Sequence, residues 1–336
     1  MITGLLSRPP EEGARLLALS FLDQAAAARP RLADPADAEA LHDFRVGLRR
    51  LRSCLKSYAA HLGDSVPKKL ARRLERLAGS TGPGRDTEVQ IGWLRGRAAH
   101  LSSHHRAGLS WLLARLHERK RNAYEDMEDE VTDEFDKLEK EMRARLSVYR
   151  AEIRLDAKTP RSTLAEATAG ILRRQVAELE SHLARVEDPA AEAQAHKARI
   201  RAKRVRYLLE PLAEEIPGAG PVVKRFKALQ DLLGDLHDAH VLEASLAEAV
   251  EEAAAERARK VMELSLAAVP DDNLRAERRR AHEAGLIALA RLNRLRRDRL
   301  FESLEAEWLE GKADGFLREV EGLGERMTED ADAEPA

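Results

Sequence analysis

Two stretches decide the fold: residues 41–58, LHDFRVGLRRLRSCLKSY, and residues 195–212, AHKARIRAKRVRYLLEPL. Laid over one another at an offset of 154, His42 meets His196, Arg45 meets Arg199 and Arg49 meets Lys203. Arg50 then meets Arg204, Arg52 meets Arg206 and Leu55 meets Leu209. In the first copy Leu41, Phe44, Leu48, Leu51, Leu55 and Tyr58 recur at steps of three and four, the apolar seam of a buried helix. His42, Arg45, Arg49, Arg52 and Lys56 follow one position later, roughly 100° around the helix. The second copy repeats the seam as Ala195, Ala198, Ala202, Val205, Leu209 and Leu212, flanked by His196, Arg199, Lys203 and Arg206. Each helix is expected to carry a cationic ridge at the border of its core-facing side.

A solvated helix face is the simplest alternative. Such a face mixes signs, with Glu placed four residues before Lys or Arg. Here Arg45 has Leu41 and Arg49 at those positions, Arg49 has Arg45 and Ser53, and Arg52 has Leu48 and Lys56. Like charges at that spacing cost a few tenths of a kcal/mol per pair. The ridges therefore call for an external anion or for acids on another helix.

The 336 residues include 35% charged and only 4% aromatic side chains, with no convincing period-two alternation, so the fold class is all-α. The net charge of -2 hides segregation. Residues 41–76 hold ten Lys/Arg against three Asp/Glu, a net of +7, and residues 196–227 hold nine against three, a net of +6. Residues 125–141 hold ten acids and two lysines, a net of -8. Local fields of this kind matter more to a partner than the total. Cys54 is the single cysteine, which fits a reducing compartment and excludes an intrachain disulfide. The opening residues lack the pattern of a signal peptide, and no stretch reaches the ~20 apolar residues of a membrane span. The expectation is a soluble, cytoplasmic chain with no membrane partner.

Read in order, residues 1–10 form a loose arm and Glu11 to Arg29 a helix. Asp34-Pro35 opens the first ridge helix, and a basic helix follows Pro67. Gly79 to Gly84 reads as a break, after which Arg85-Asp86 opens another helix. A long helical stretch from Ser102 runs into the acidic segment. The link between halves falls at 156–160. The second half repeats the order, with Asp188-Pro189 mirroring Asp34-Pro35 and a turn at Gly234-Asp235 before His237-Asp238. From Gly311 the chain reads as an acidic tail, residues 311–336, with at most a short helix.

His-x-x-Arg-x-x-x-(Arg/Lys)-Arg-x-Arg on a helix, then a basic helix, then a Gly turn with Arg-Asp or His-Asp, resembles the CHAD family, the conserved-histidine α-helical domain. The resemblance covers both halves, from about residue 11 to about 310. It implies two pseudo-symmetric four-helix bundles, residues 11–155 and 161–310, around a central basic groove or pore. It also implies binding of inorganic polyphosphate rather than catalysis, with no cofactor, metal or catalytic residue, and an association with polyphosphate granules. Carried over position by position, the candidates in the first half are His42, Arg45, Arg49, Arg50, Arg52 and Lys56. Lys69, Arg72, Arg73 and Arg76 join them from the next helix. The second half offers His196, Arg199, Lys203, Arg204 and Arg206, then Lys224, Arg225 and Lys227. Glu210 stands where the first half has Lys56, so the track is expected to be asymmetric. Asp86 and Asp238 are expected to pair with ridge cations or cap their helices.

The chemistry of the side chains agrees. Arginine offers a planar fork to phosphate oxygens and lysine a point charge, and a ridge rising ~5 Å per turn follows a linear anion along its length. Three rivals compete. RNA or DNA is a competing polyanion, although single-strand binders add aromatic platforms and the ridges offer only Tyr58 and Tyr207. An HD-type metal phosphohydrolase would use His42-Asp43 and His237-Asp238, with His196 or Asp271 completing the metal set, yet a ring of cations works against a divalent metal. Glu139-Lys-Glu141-Met-Arg143 has the letters of a triphosphate-tunnel strand but lies in a helical stretch, where alternate residues do not share a face.

Overall fold

The computed structural model describes residues 4–34, 37, 39–63, 65–148, 162–267, 272, 275 and 282–333. Among them there is no strand; the structure is all-α. In order come α1 (Pro10–Ala28), α2 (Ala40–Ser57), the one-turn α3 (Ala59–Leu62), α4 (Lys68–Ser80), α5 (Gly82–Arg95) and α6 (Ser103–Leu146). Then follow α7 (Leu164–Leu183), α8 (Glu192–Leu209), α9 (Ala219–Leu266), α10 (His282–Trp308) and α11 (Asp314–Ala333). The expected link at 156–160, Pro35 of the expected helix start, and residues 269–271 of the break expected from Val269 to Asp272 lie outside the described residues.

The predicted seams are the buried ones, except at Leu41, which is half-buried. Phe44, Leu48, Leu51, Leu55 and Tyr58 of α2, and Ala198, Ala202, Val205 and Leu209 of α8, are all almost fully covered. Leu70, Leu74 and Leu77 do the same for α4. They join one apolar cluster fed by both halves, with α1, the second half of α6, α7 and the first part of α9. Fully burying each large side chain contributes roughly 1.5–3 kcal/mol. A second cluster gathers α5, the first half of α6, the second half of α9 and the start of α10, again two helices from each half. The 44 residues of α6 and the 48 of α9 run through both clusters.

Local chemistry sets how closely the helices approach. At Gly47 a Cβ would lie 2.7 Å from the backbone nitrogen of Ala25, so α1 and α2 touch through backbone. Gly108 of α6 and Gly285 of α10 face each other, and a Cβ on either would fall 2.3 or 2.2 Å from a carbonyl oxygen of the opposite helix. Asn293, fully buried, donates through Nδ2 to Ala239 O at 2.7 Å and ties α10 to α9. Arg15, buried on α1, donates to the carbonyls of Arg145 and Leu146, each at 3.3 Å, and to that of Val148. A cation at the C-terminal end of α6 satisfies its unpaired carbonyls and complements the helix dipole.

Several boundaries differ from expectation. The turn at Gly234-Asp235 does not form; α9 continues through it because its seam Leu229, Leu233, Leu236 and Ala239 stays in phase and buried. The break at Gly79 to Gly84 shrinks to Thr81, whose hydroxyl donates to Ala78 O at 2.9 Å. The ridge helix of the second half, expected to run to about Ile216, stops at Leu209, where Pro211 permits only a 3-10 turn. The arm is pinned, with Leu5 buried and the Leu5 and Leu6 amides donating to the Glu215 carboxylate at 2.9 and 3.1 Å. Beyond Gly311 the acidic segment is not a frayed tail. It forms α11, packed on α7, with Phe316, Leu317, Val320, Leu323 and Met327 buried at helical spacing.

Candidate functional site

The two ridge helices touch each other. Lys203 lies near enough to Arg199 and Arg206 on its own helix, and to Arg49 and Arg52 on α2, to sense all four charges. Burial first, and then these neighbours, lower its ammonium from the usual lysine range to about 7. Arg199 is lowered by burial, with Asp238 and Asp86 offsetting and Arg49 adding to the effect. Arg45 is lowered by burial and by Arg49, and Arg204 by burial and by Arg201, with Arg52 contributing. Cations of the two copies are therefore within electrostatic reach of one another.

Most of this group makes no direct ion pair. Among the described residues Arg45, Arg49, Arg52, Arg199, Lys203 and Arg204 make no ion pair or hydrogen bond, and Arg45, Arg49 and Arg199 each bury a nitrogen without a partner. A partly buried charge without a direct partner carries a desolvation cost. His196 packs against His237 of α9 with ring centroids 4.9 Å apart. His237 is pushed down to about 4 by burial, then by Arg199, His196, His240 and Lys203. His42 is exposed on α2.

Acids bound the group. Asp86 of α5 and Asp238 of α9 both reach Arg199 electrostatically. Asp238 is raised by burial, with Asp235 and Asp86 adding to the effect. Neither caps a helix, since Asp86 sits in the second turn of α5 and Asp238 in the middle of α9. At the other end Glu210 bridges the copies, 2.7 Å from Arg50 and 3.4 Å from Arg206. Arg206 also donates to Gln230 at 2.9 Å. The Lys56-to-Glu210 exchange in the repeat thus places an acid between the copies.

Other candidates are placed elsewhere. Arg73 turns to the acidic part of α6 and pairs with Glu134 at 2.8 Å and Glu141 at 2.7 Å. Arg76 approaches the same Glu134. Arg225 lies over Phe316 at 4.4 Å and Trp308 at 5.3 Å, a cation–π contact. Lys224 and Lys227 are exposed on α9, as Lys69 is on α4. Arg52, Lys56 and Arg72 share with Lys68, which had not been singled out, a cleft of about 380 Å³ between α2 and α4. Arg85, also not singled out, acts on Arg45; its signal in the sequence was its place beside Asp86.

The rival signatures do not assemble. Among the described residues no three His, Cys, Asp or Glu side chains form a metal-ligand group, and Asp43 is paired with Arg31 at 2.6 Å. Glu139 pairs with Arg143 at 2.8 Å while Glu141 serves Arg73, on different sides of a helix. Tyr58 is buried with its hydroxyl 2.7 Å from Thr168 Oγ1, and Tyr207 is buried beneath the Arg206 guanidinium, so neither offers a free stacking face. None of the described helices is long and apolar enough to cross a membrane.

Residues 17–247, more than half of the chain, match the family model described as the CHAD domain. The chain belongs to the CHAD family. Among solved structures, the CHAD domain from the plant Ricinus communis is 24% identical to this CHAD chain, with a TM-score of 0.58. That alignment covers 84% of this chain and 92% of the plant one, and it supports the shared fold. No curated protein matches the chain. Within the CHAD fold, the repeat, the ridges and the acids Asp86 and Asp238 all fall inside the matched residues.

Proposed function

We propose that this CHAD protein binds inorganic polyphosphate, without catalysing a reaction on it, along the cations that α2 and α8 bring together. The observation that carries the reading is the mutual repulsion of Lys203, Arg199, Arg49 and Arg52 with no carboxylate bonded to any of them among the described residues. A chain of phosphates supplies closely spaced negative charge and acceptor oxygens, and needs neither bases nor an apolar wall. The core of the site is Arg45, Arg49, Arg52, Arg199, Lys203 and Arg204, with His42 and His196 at one end. The track extends over Lys56, Lys69 and Arg72 on one side and Lys224 and Lys227 on the other. Arg50, Arg206, Arg73, Arg76 and Arg225 serve the scaffold first.

The scaffold that fits this reading is a pair of four-helix bundles: α1, α2, α4 and the second half of α6, then α7, α8, the first part of α9 and the end of α10. A pseudo-twofold axis between α2 and α8 would place a basic groove on the symmetry element. The reciprocal approach of Gly108 and Gly285 is the relation expected of equivalent helices crossing near such an axis. Recruitment to polyphosphate granules follows as the cellular consequence.

The test is titration with long-chain polyphosphate and with RNA of matched charge across a salt series. Polyphosphate is expected to bind more tightly, with affinity falling linearly on logarithmic axes as counter-ions are released. The double variant Arg49→Ala, Lys203→Ala should lose at least about tenfold, or 1.4 kcal/mol. Equal or tighter binding of RNA, or an unchanged affinity in that variant, overturns the assignment.

A further inference from the structure

Away from the ridges, a cavity of about 460 Å³ opens between the end of α5 with its following 3-10 turn and the middle of α10. Trp93, Leu292, Leu295 and Leu300 give it an apolar floor, and Arg97, His100, Arg296 and Arg299 surround that floor. Ser303 completes the lining, which contains no carboxylate. Arg296 is neutralised by Asp235 at 2.9 Å. Arg97, Arg299 and His100 have no acidic partner among the described residues. Leu295 keeps 53% of its surface exposed.

This combination differs in kind from the polyphosphate track. A bare phosphate chain gains nothing from leucine and indole, whereas the volume lies in the range of small-molecule sites, ~300–1,000 Å³. Three planar π surfaces meet there, with the Arg97 and Arg296 guanidiniums 5.3 and 5.8 Å from the Trp93 ring centroid. Indole and guanidinium planes stack on heteroaromatic rings, a geometry that an alkyl chain cannot use. We propose that the cavity is a nucleotide site, in which the base packs against Trp93 and the leucine floor while Arg97, Arg299 and His100 hold the phosphates. The proposal does not depend on the polyphosphate reading, because none of its residues belongs to the ridges.

The experiment is calorimetric titration of the full chain with ADP, tripolyphosphate and decanoate, alongside Arg97→Ala and Arg299→Ala, followed by Trp fluorescence with Trp93→Phe as the control. ADP is expected to bind, to quench emission that Trp93→Phe lacks, and to lose at least about tenfold in each arginine variant. Tripolyphosphate at equal concentration should not displace it. Both arginine variants keep circular dichroism and polyphosphate binding if only this cavity is touched. The proposal is overturned if ADP fails to bind at millimolar concentration or if tripolyphosphate or decanoate competes as well as ADP. It is equally overturned if binding survives both arginine changes yet disappears in Arg49→Ala, Lys203→Ala.

Discussion

At the scale of single residues, Lys203 couples the site to protons. Its ammonium is held near 7 by burial and by four arginines, while an unfolded lysine titrates near ~10.4. Between those values the unfolded chain binds the extra proton, so stability rises with pH across that window, and the penalty is fully present below it. Lys203→Met is expected to stabilise the protein by on the order of 1–3 kcal/mol at pH 6, with the gain shrinking towards pH 10; denaturant titrations at both values check it. A gain independent of pH would mean that the charge is not what is relieved. A bound polyanion should reverse the depression, so polyphosphate binding at pH 8 is expected to take up protons. Calorimetry in buffers of different ionisation enthalpy measures that uptake, and Lys203→Met should remove most of it. Tyr58 makes a simpler case: Tyr58→Phe leaves the buried Thr168 hydroxyl unpaired and should cost about 1–3 kcal/mol.

At the scale of elements, glycine has opposite meanings at two places. Gly234 lies inside α9 with nothing within 4 Å of where a Cβ would stand. Gly234→Ala is therefore expected to stabilise the chain by roughly 0.5–1 kcal/mol, whereas a turn there would make the same change harmful. Gly108→Ala and Gly285→Ala must push backbone from backbone and should each cost about 1–3 kcal/mol or more. Thermal melts of the three variants rank them. The helices and their seams were legible because period-3.6 burial writes itself into sequence, as in Phe44, Leu48, Leu51 and Leu55. The uninterrupted α9 was not, since a lone glycine followed by Asp is a turn signal that only buried neighbours override. The docking of α11 was also hidden: its acids dominate composition, while its stripe Phe316, Val320, Leu323 and Met327 needed a partner surface on α7 to show its purpose.

At the scale of the whole molecule, the repeat told which cations are equivalent but not which are already answered. Arg50 looks like Arg49 in the sequence, whereas Arg206 already has Glu210 four residues on. Only the contact of α2 with α8 brings Arg50 to that same Glu210. In the same way the partners of Arg73 lie more than sixty residues downstream, on α6. The interleaving of helices from both halves in each apolar cluster predicts one cooperative unfolding transition, coincident by far-ultraviolet circular dichroism and tryptophan emission. Two separated transitions would show that the halves are energetically independent. Removal of the chain after Gly311 uncovers Trp308 and the α7 face beneath α11, and is expected to give aggregation rather than a shorter soluble protein.

The lone thiol gives the molecule a clock. Cys54 lies under the α1–α2 crossing, its sulfur 3.7 Å from Ala14 O, and burial pushes it up to about 12. A thiolate is the reactive form, so the folded chain should ignore disulfide reagents and oxidants. Labelling can proceed only as often as that crossing spontaneously parts, which turns a colorimetric thiol assay into a direct measure of breathing at the base of the first ridge helix.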